Sequence, residues 1–211
     1  MRWTDLPSKR PARSVRAWRE AWRAHDAVDA IAAHALGPRG DGSPVVALER
    51  GVVETARAWL GASRLERGGL LVGEPLARAE DDARIALVHV RVMVPGLDDA
   101  ATALSLRLEA SVWDAARVAL REGEVVVGWV HSHPGIGAFF SDTDRRTQAA
   151  FFTQPFSLGW VIDPERGEQA WFCGPTSLAL RENAVLQIDG HAARPPGTVQ
   201  AASGDAPRER L

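Results

Sequence analysis

The chain has one cysteine, Cys173, in 211 residues. It can form no intramolecular disulfide and no thiolate-rich zinc site, so any metal must rest on histidine and carboxylate. A lone thiol also fits a reducing cytoplasm, the expected location. Tyrosine is absent, and Lys9 is the only lysine although Lys and Arg together number 25. Abundant arginine and alanine read first as the mark of a GC-rich bacterial genome. Avoidance of lysines that a conjugation system could modify is the sharper alternative. No apolar run approaches the roughly 20 residues of a membrane span. The opening MRWTDLPSKRPARS lacks the apolar segment of a signal peptide. A net charge of -2 gives no global attraction to nucleic acid or to an anionic membrane. Neither is expected as a partner.

What is present suits one domain with extensions: 45% of residues are hydrophobic, enough for a sizeable core. Residues 1–43 read as an N-terminal arm and an amphipathic helix over 12–36. Val15, Trp18, Trp22, Val28, Ile31 or Ala32, and Ala35 fall close to a three-four repeat, and Gly37-Pro38 stops it. This helix either lays its tryptophans on the following domain or offers them to a partner. Residues 190–211 have no periodicity and read as a flexible tail.

Between them, residues 44–189 alternate strands and helices, which implies an α/β layered domain. Strands are expected at 45–48, 64–73, 84–94, 104–108, 125–130, 157–163 and 169–173. Helices are expected at 49–60, 110–121 and 141–153, and 178–188 reads as a strand or a helix. Glycines inside the 64–73 strand predict a bulge or a close backbone approach. In the 84–94 strand, simple alternation puts Ile85, Leu87, His89, Arg91 and Met93 on one side and Val88, Val90, Val92 and Val94 on the other.

The chemistry concentrates in 131–144, HSHPGIGAFFSDTD. At a strand end, His131 and His133 share one face. Ser141 with Asp144 three residues on is a capping-box pattern that starts a helix and brings a carboxylate back. These residues could simply end a strand and cap a helix. Their joint spacing also offers three metal ligands and an open position, the plan of a catalytic zinc site. Hydrolysis there needs a further carboxylate to handle protons. Glu66 is a candidate, because its Gly-rich strand could lie beside 125–130; position alone does not separate it from Glu49 or Glu54.

Glu66 in its GGLLVG context, His131-Ser132-His133, Ser141 and Asp144 together resemble the signature of the JAMM (MPN-plus, Mov34/PAD-1, JAB) zinc metalloproteases. VVVGWVHSHPGIGAFFSDTDRRTQ and PFSLGWVIDP are similar to the proteasome-lid and COP9 signalosome deubiquitinase-type subunits. The resemblance covers roughly 45–174. It implies a cytidine-deaminase-like α/β/α layered fold, here with an extra N-terminal helix. It implies one Zn2+ with a bound water on His131, His133 and Asp144, Glu66 as general base and acid, and Ser141 as donor to the oxyanion. Gly135 and Gly137 would leave room for a substrate tail. The implied activity is cleavage of isopeptide or peptide bonds after the C-terminus of a ubiquitin-like protein, with that protein, its conjugates and E1/E2-like proteins as partners. Some bacterial members belong to antiviral conjugation systems. The long insertion that eukaryotic members carry between the Asp144 and Ser157 positions is missing. Deaminase chemistry is disfavoured, since the HxE and CxxC pattern is absent. The alternative is a binding or assembly module with a structural zinc, recruiting a partner through the tryptophan-bearing helix.

Overall fold

A computed structural model describes residues 12–22, 26–38, 42–79, 84–96 and 110–189. The expected strand at 104–108, the arm before residue 12 and the tail after 189 lie outside these residues. The elements in chain order are α1 (Val15–Ala21), α2 (Asp26–Leu36), β1 (Val45–Glu49), α3 (Arg50–Gly61), β2 (Gly68–Ala77), β3 (Ile85–Pro95), α4 (Ala110–Ala119), β4 (Val125–Ser132), α5 (Asp142–Phe151), β5 (Leu158–Asp163), β6 (Glu168–Cys173), β7 (Leu178–Ala179), a 3-10 turn at Glu182–Ala184 and β8 (Val185–Ile188).

The strands form one mixed sheet ordered β7-β6-β5-β4-β2-β3-β1-β8. β1 pairs parallel with β3 and β8, and β4 parallel with β5; the other neighbours are antiparallel. The 178–188 stretch thus resolves into a short edge strand, a turn and a strand that returns to β1.

Helices cover both faces. On one, α3 buries Val52, Val53, Ala56 and Leu60 against Leu71, Val88, Val90, Val127, Val130 and Trp160. On the other, Trp113 of α4 and Phe140 and Phe152 flanking α5 pack with Leu70, Val72, Trp129, Val161 and Phe172. Burial of aromatic and branched side chains on both faces drives this three-layer α/β/α arrangement. Among the described residues no helix is long and apolar enough to cross a membrane.

Two local expectations are corrected. The single helix over 12–36 is two helices, α1 and α2. Ser14 caps α1 by accepting the Ala17 N–H at 3.2 Å. The expected apolar positions are all buried, in a cluster shared with Val45, Ala47, Leu76, Leu87 and Ile188 of the sheet. Trp18 and Trp22 are therefore packed within the chain and are not offered to a partner. The Trp18 Nε1–H donates to His89 Nδ1 at 3.3 Å, and His89 Nε2 meets Glu49 Oε1 at 3.0 Å.

Simple alternation along β3 also fails. Val72 pairs with Val92 but Gly73 with Val90, so Arg91 is an extra residue and the strand changes phase there. Met93 consequently joins Val88 and Val90 under α3, while Val94 faces α4. The expected close approach in β2 falls at Gly73 and Gly69, where a Cβ would stand 1.9 Å from the His89 carbonyl oxygen and 2.5 Å from that of Val94.

Candidate metal centre

β4 carries His131 and Ser132 in its last turn of pleat, and His133 follows directly. The backbone continues in register: the His133 N–H donates to the Ile162 carbonyl at 2.9 Å, extending the β4–β5 pairing. The His131 ring stacks on Trp129, with centroids 4.4 Å apart and planes at 10°. Trp129 in turn donates its Nε1–H to Gln148 Oε1 at 2.6 Å, and Gln148 Nε2–H donates to the Ser157 and Gly174 carbonyls. Buried Gln148 therefore ties α5 to the strand that bears the histidines.

The expected capping box is present. The Ser141 hydroxyl accepts the Asp144 N–H at 3.2 Å, and Asp144 Oδ2 accepts both the Ser141 N–H, at 2.7 Å, and its hydroxyl proton, at 2.6 Å. This fixes the carboxylate against the histidines. Asp144 Oδ1 lies 3.2 Å from His131 Nε2, and Oδ2 lies 3.5 Å from His133 Nε2. The two Nε2 atoms are 3.2 Å apart.

The electrostatics follow from this crowding. Burial pushes the Asp144 carboxyl up, but the bonds to His131, His133 and Ser141 outweigh it and hold the group far below the usual carboxylate range. Burial lowers the His133 imidazole, yet the Asp144 hydrogen bond and the charges of Asp144 and Glu66 leave it raised. The site thus attracts positive charge.

Its donor set fits a metal ion. One ligand atom from each of His131, His133 and Asp144 lies within 4.8 Å of the others. Among the described residues, both Nδ1 atoms are buried without a partner in good hydrogen-bond geometry. A neutral imidazole with its proton on Nδ1 presents a lone pair at Nε2, the atom that here points into the cluster. Two imidazoles and a carboxylate suit zinc and leave a position open.

Glu66 precedes β2. Antiparallel pairing sets Gly68 opposite His131, so the strand start delivers Glu66 to the histidines. Its Oε1 stands 3.8 Å from His133 Nε2. The other acidic candidates part company with it: Glu49 bonds His89 beneath α1, and Glu54 belongs to α3.

Gly135 and Gly137 have φ of +77° and +95°, conformations that glycine adopts without cost. Their N–H groups donate to Asp163 Oδ1 and Oδ2 at 3.0 and 2.7 Å. Asp163, fully buried at the end of β5, also accepts the Glu165 and Arg166 N–H groups. Sequence reasoning missed this anchor. Its one signal was an aspartate ending an apolar strand ahead of Pro164.

A three-layer α/β/α sheet with a His-His-Asp cluster at the junction of a strand and the next helix defines a JAB/MPN-type domain. Residues 46–174 match the family of prokaryotic homologues of the JAB domain, and the chain belongs to that family. Among curated relatives, it is 34% identical over 102 residues to ubiquitin carboxyl-terminal hydrolase RPN11 of Saccharomyces cerevisiae, 47% of this chain and 32% of that protein. It is 32% identical over 100 residues to COP9 signalosome complex subunit 5 of Eremothecium gossypii, 46% of this chain and 23% of that one. It is 33% identical over 110 residues to the NAD(+) hydrolase TcpA of a Theionarchaea archaeon, 52% and 30% respectively. The chain thus spans a third or less of the length of these relatives. The solution structure of protein DSY2949 from Desulfitobacterium hafniense aligns with a TM-score of 0.50 at 20% identity, over 68% of this chain and 93% of that one, a likeness of fold.

Proposed function

We propose that the protein is a zinc-dependent hydrolase that cleaves isopeptide or peptide bonds after the C-terminus of a ubiquitin-like protein. The observation that carries this reading is the convergence of His131, His133 and Asp144 with Glu66 Oε1 at 3.8 Å from His133 Nε2. The relatives named for ubiquitin hydrolysis and for the COP9 signalosome support it.

His131, His133 and Asp144 would hold the ion. Bound zinc would supply Lewis acidity and bring the pKa of a water towards neutrality. Glu66, the most open of the four side chains, would take a proton at Oε1 and deliver it to a leaving amine. Ser141 has one hydroxyl proton, which rests on Asp144 Oδ2. To serve the oxyanion that proton must turn away, and the Ser141 N–H remains to hold Oδ2 in place. Gly135 and Gly137 would line the path of an extended tail. On this reading the partners are a ubiquitin-like protein and its conjugates, with E1/E2-like proteins of the same conjugation system, acting in the cytoplasm.

The test is incubation of zinc-loaded protein with ubiquitin-like proteins extended at their C-termini, read by product mass, beside Glu66→Gln protein of equal metal content. Cleavage at the modifier C-terminus by the parent alone is expected. Equal cleavage by the Glu66→Gln protein would sink the assignment.

A further inference from the structure

Strand alternation divides the start of β2 between the two faces of the sheet. Leu70 faces α4 and α5 with Trp129, and Leu71 faces α3. Two-residue steps back from them place Glu66 on the Leu70 side and Arg67 on the Leu71 side. The contacts follow this division. Glu66 reaches His133, on the side where His131 stacks on Trp129. Arg67 turns the other way, onto Trp59 of α3.

Arg67 meets Trp59 in two ways. Its guanidinium donates an Nη1–H to the Trp59 carbonyl at 3.2 Å, and its Cζ stands 4.5 Å from the centroid of the Trp59 ring. Trp59 lies in the last turn of α3, where carbonyls have no partner within the helix. That end of a helix carries partial negative charge, and α3 has no basic residue in its last turn. Arg67 supplies the cation from another segment. The indole suits the same purpose. Among the described residues its Nε1–H is buried without a partner in good hydrogen-bond geometry, a cost that phenylalanine would not carry. What tryptophan adds is the ring face that attracts a cation most strongly.

Glu66 precedes Gly68, the first residue of β2 in register with β4. Arg67 stands between them, clamped by its backbone to Ser132 and by its side chain to α3. We propose that Arg67 is a positioning residue for Glu66: its side chain, seated on Trp59, fixes the segment ahead of β2 so that the carboxylate stays at the metal cluster. Arg67 faces away from the cluster and acts through its neighbour. The consequence for turnover rests on the hydrolase reading of the preceding section; the hold on the segment does not.

The test compares zinc-loaded wild type with Arg67→Met, Arg67→Lys, Trp59→Leu, Trp59→Phe and the Arg67→Met/Trp59→Leu double variant. Arg57→Met removes an exposed arginine two residues before Trp59 and is the control, which should move neither readout. The first readout needs no substrate: amide hydrogen exchange of peptides covering 62–68 and 131–144, followed by mass spectrometry. Arg67→Met should speed exchange in 62–68 about tenfold, the loss of one charge-assisted hydrogen bond and one cation–ring contact, and leave 131–144 unchanged. The second readout is steady-state cleavage of a C-terminally extended ubiquitin-like protein. Here kcat should fall about tenfold or more, since a displacement of about 1 Å at a reacting group costs up to a hundredfold. KM and zinc content should not change. Arg67→Lys should fall between, because it keeps the charge without the flat guanidinium. Trp59→Leu should loosen the segment less than Arg67→Met, since the carbonyl remains. It should add nothing in the double variant, where the contact is already lost. Trp59→Phe keeps a ring face and should stay near the wild type.

Unchanged exchange in 62–68 of Arg67→Met overturns the proposal, as does a double variant whose effects are the sum of the singles. A fall in kcat matched by loss of zinc or by faster exchange in 131–144 makes Arg67 a residue of general stability and overturns it too. Should Trp59→Leu fail to fold, Trp59→Phe carries the test: combined with Arg67→Met, it must match Arg67→Met alone. If the wild type cleaves no fusion, the hydrolase reading fails and exchange alone decides the hold of Arg67. Wild-type cleavage with an undiminished kcat in a loosened Arg67→Met protein keeps the hydrolase and overturns the positioning.

Discussion

The Ser132 hydroxyl accepts the Arg67 N–H at 3.0 Å, and the Ser132 N–H donates to the Arg67 carbonyl at 2.8 Å. The residue between the two histidines thus grips the residue after Glu66. This pair of hydrogen bonds across two chain segments sets the spacing between the ligands and the carboxylate. Ser132→Ala removes one acceptor from a part-buried N–H, a loss of about 1–3 kcal/mol. Zinc stoichiometry should be unchanged while kcat falls, checked by metal analysis and steady-state kinetics on one preparation. A proportional loss of metal would contradict a role confined to Glu66.

The ligand cluster makes a prediction that needs no substrate. Zinc at about 100 times its dissociation constant should stabilise the wild-type fold by about 2.7 kcal/mol through binding to the native state alone. Thermal or denaturant midpoints should rise for the wild type and for Glu66→Gln. They should stay flat for His131→Ala and Asp144→Ala. A zinc-induced rise that persists in both ligand variants would place the ion elsewhere.

Asp163 gives a pH dependence with a definite sign. Burial pushes its carboxyl up, but N–H bonds from Gly135, Gly137, Arg166 and Glu165 win and hold it below the usual range. Its folded-state value is depressed, so its contribution is full above the unfolded value of about 3.9 and is lost as pH falls below that towards the folded value. The melting temperature difference between wild type and Asp163→Ala should be level from about pH 5 to 8 and should shrink below about 4. A difference that peaks in acid would reverse the assignment.

Trp18, fully buried between α1 and the sheet, tests the packing of the N-terminal helices. Trp18→Ala should cost about 3–5 kcal/mol, the usual loss for a large aromatic, with the donor to His89 Nδ1 lost as well. Denaturant unfolding measures it. A loss below about 1 kcal/mol, the level of a single exposed-site change, would show that α1 is only loosely attached.

Much of the candidate centre was readable because it is local. His131, His133, Ser141 and Asp144 lie on one strand end and one helix start, and strand alternation and capping chemistry specify their directions. Glu66 could not be separated from Glu49 and Glu54 by spacing. Only the β2–β4 register, a pairing between distant segments, brings it to His133. Asp163 was illegible because it acts through four backbone N–H groups, which carry no residue identity. The α/β/α class followed from the alternation of elements. The phase change at Arg91 did not, since a bulge is a property of a strand pair and not of either strand. The N-terminal tryptophan stripe was visible as periodicity, but its partner surface, made of residues from β1, β2, β3 and β8, was not.

The same contrast between near and distant contacts has a consequence for how function fails. The three ligands lie within residues 131–144, so bringing them together closes a short loop at small entropic cost. Glu66 lies ahead of Gly68, the first paired residue of β2, and is partly exposed, so local fraying of that segment moves it without disturbing the buried ligands or the central strands. Partial unfolding should therefore separate the carboxylate from the ligands before it scatters the ligands. A warmed or mutationally weakened population would keep its metal while losing turnover.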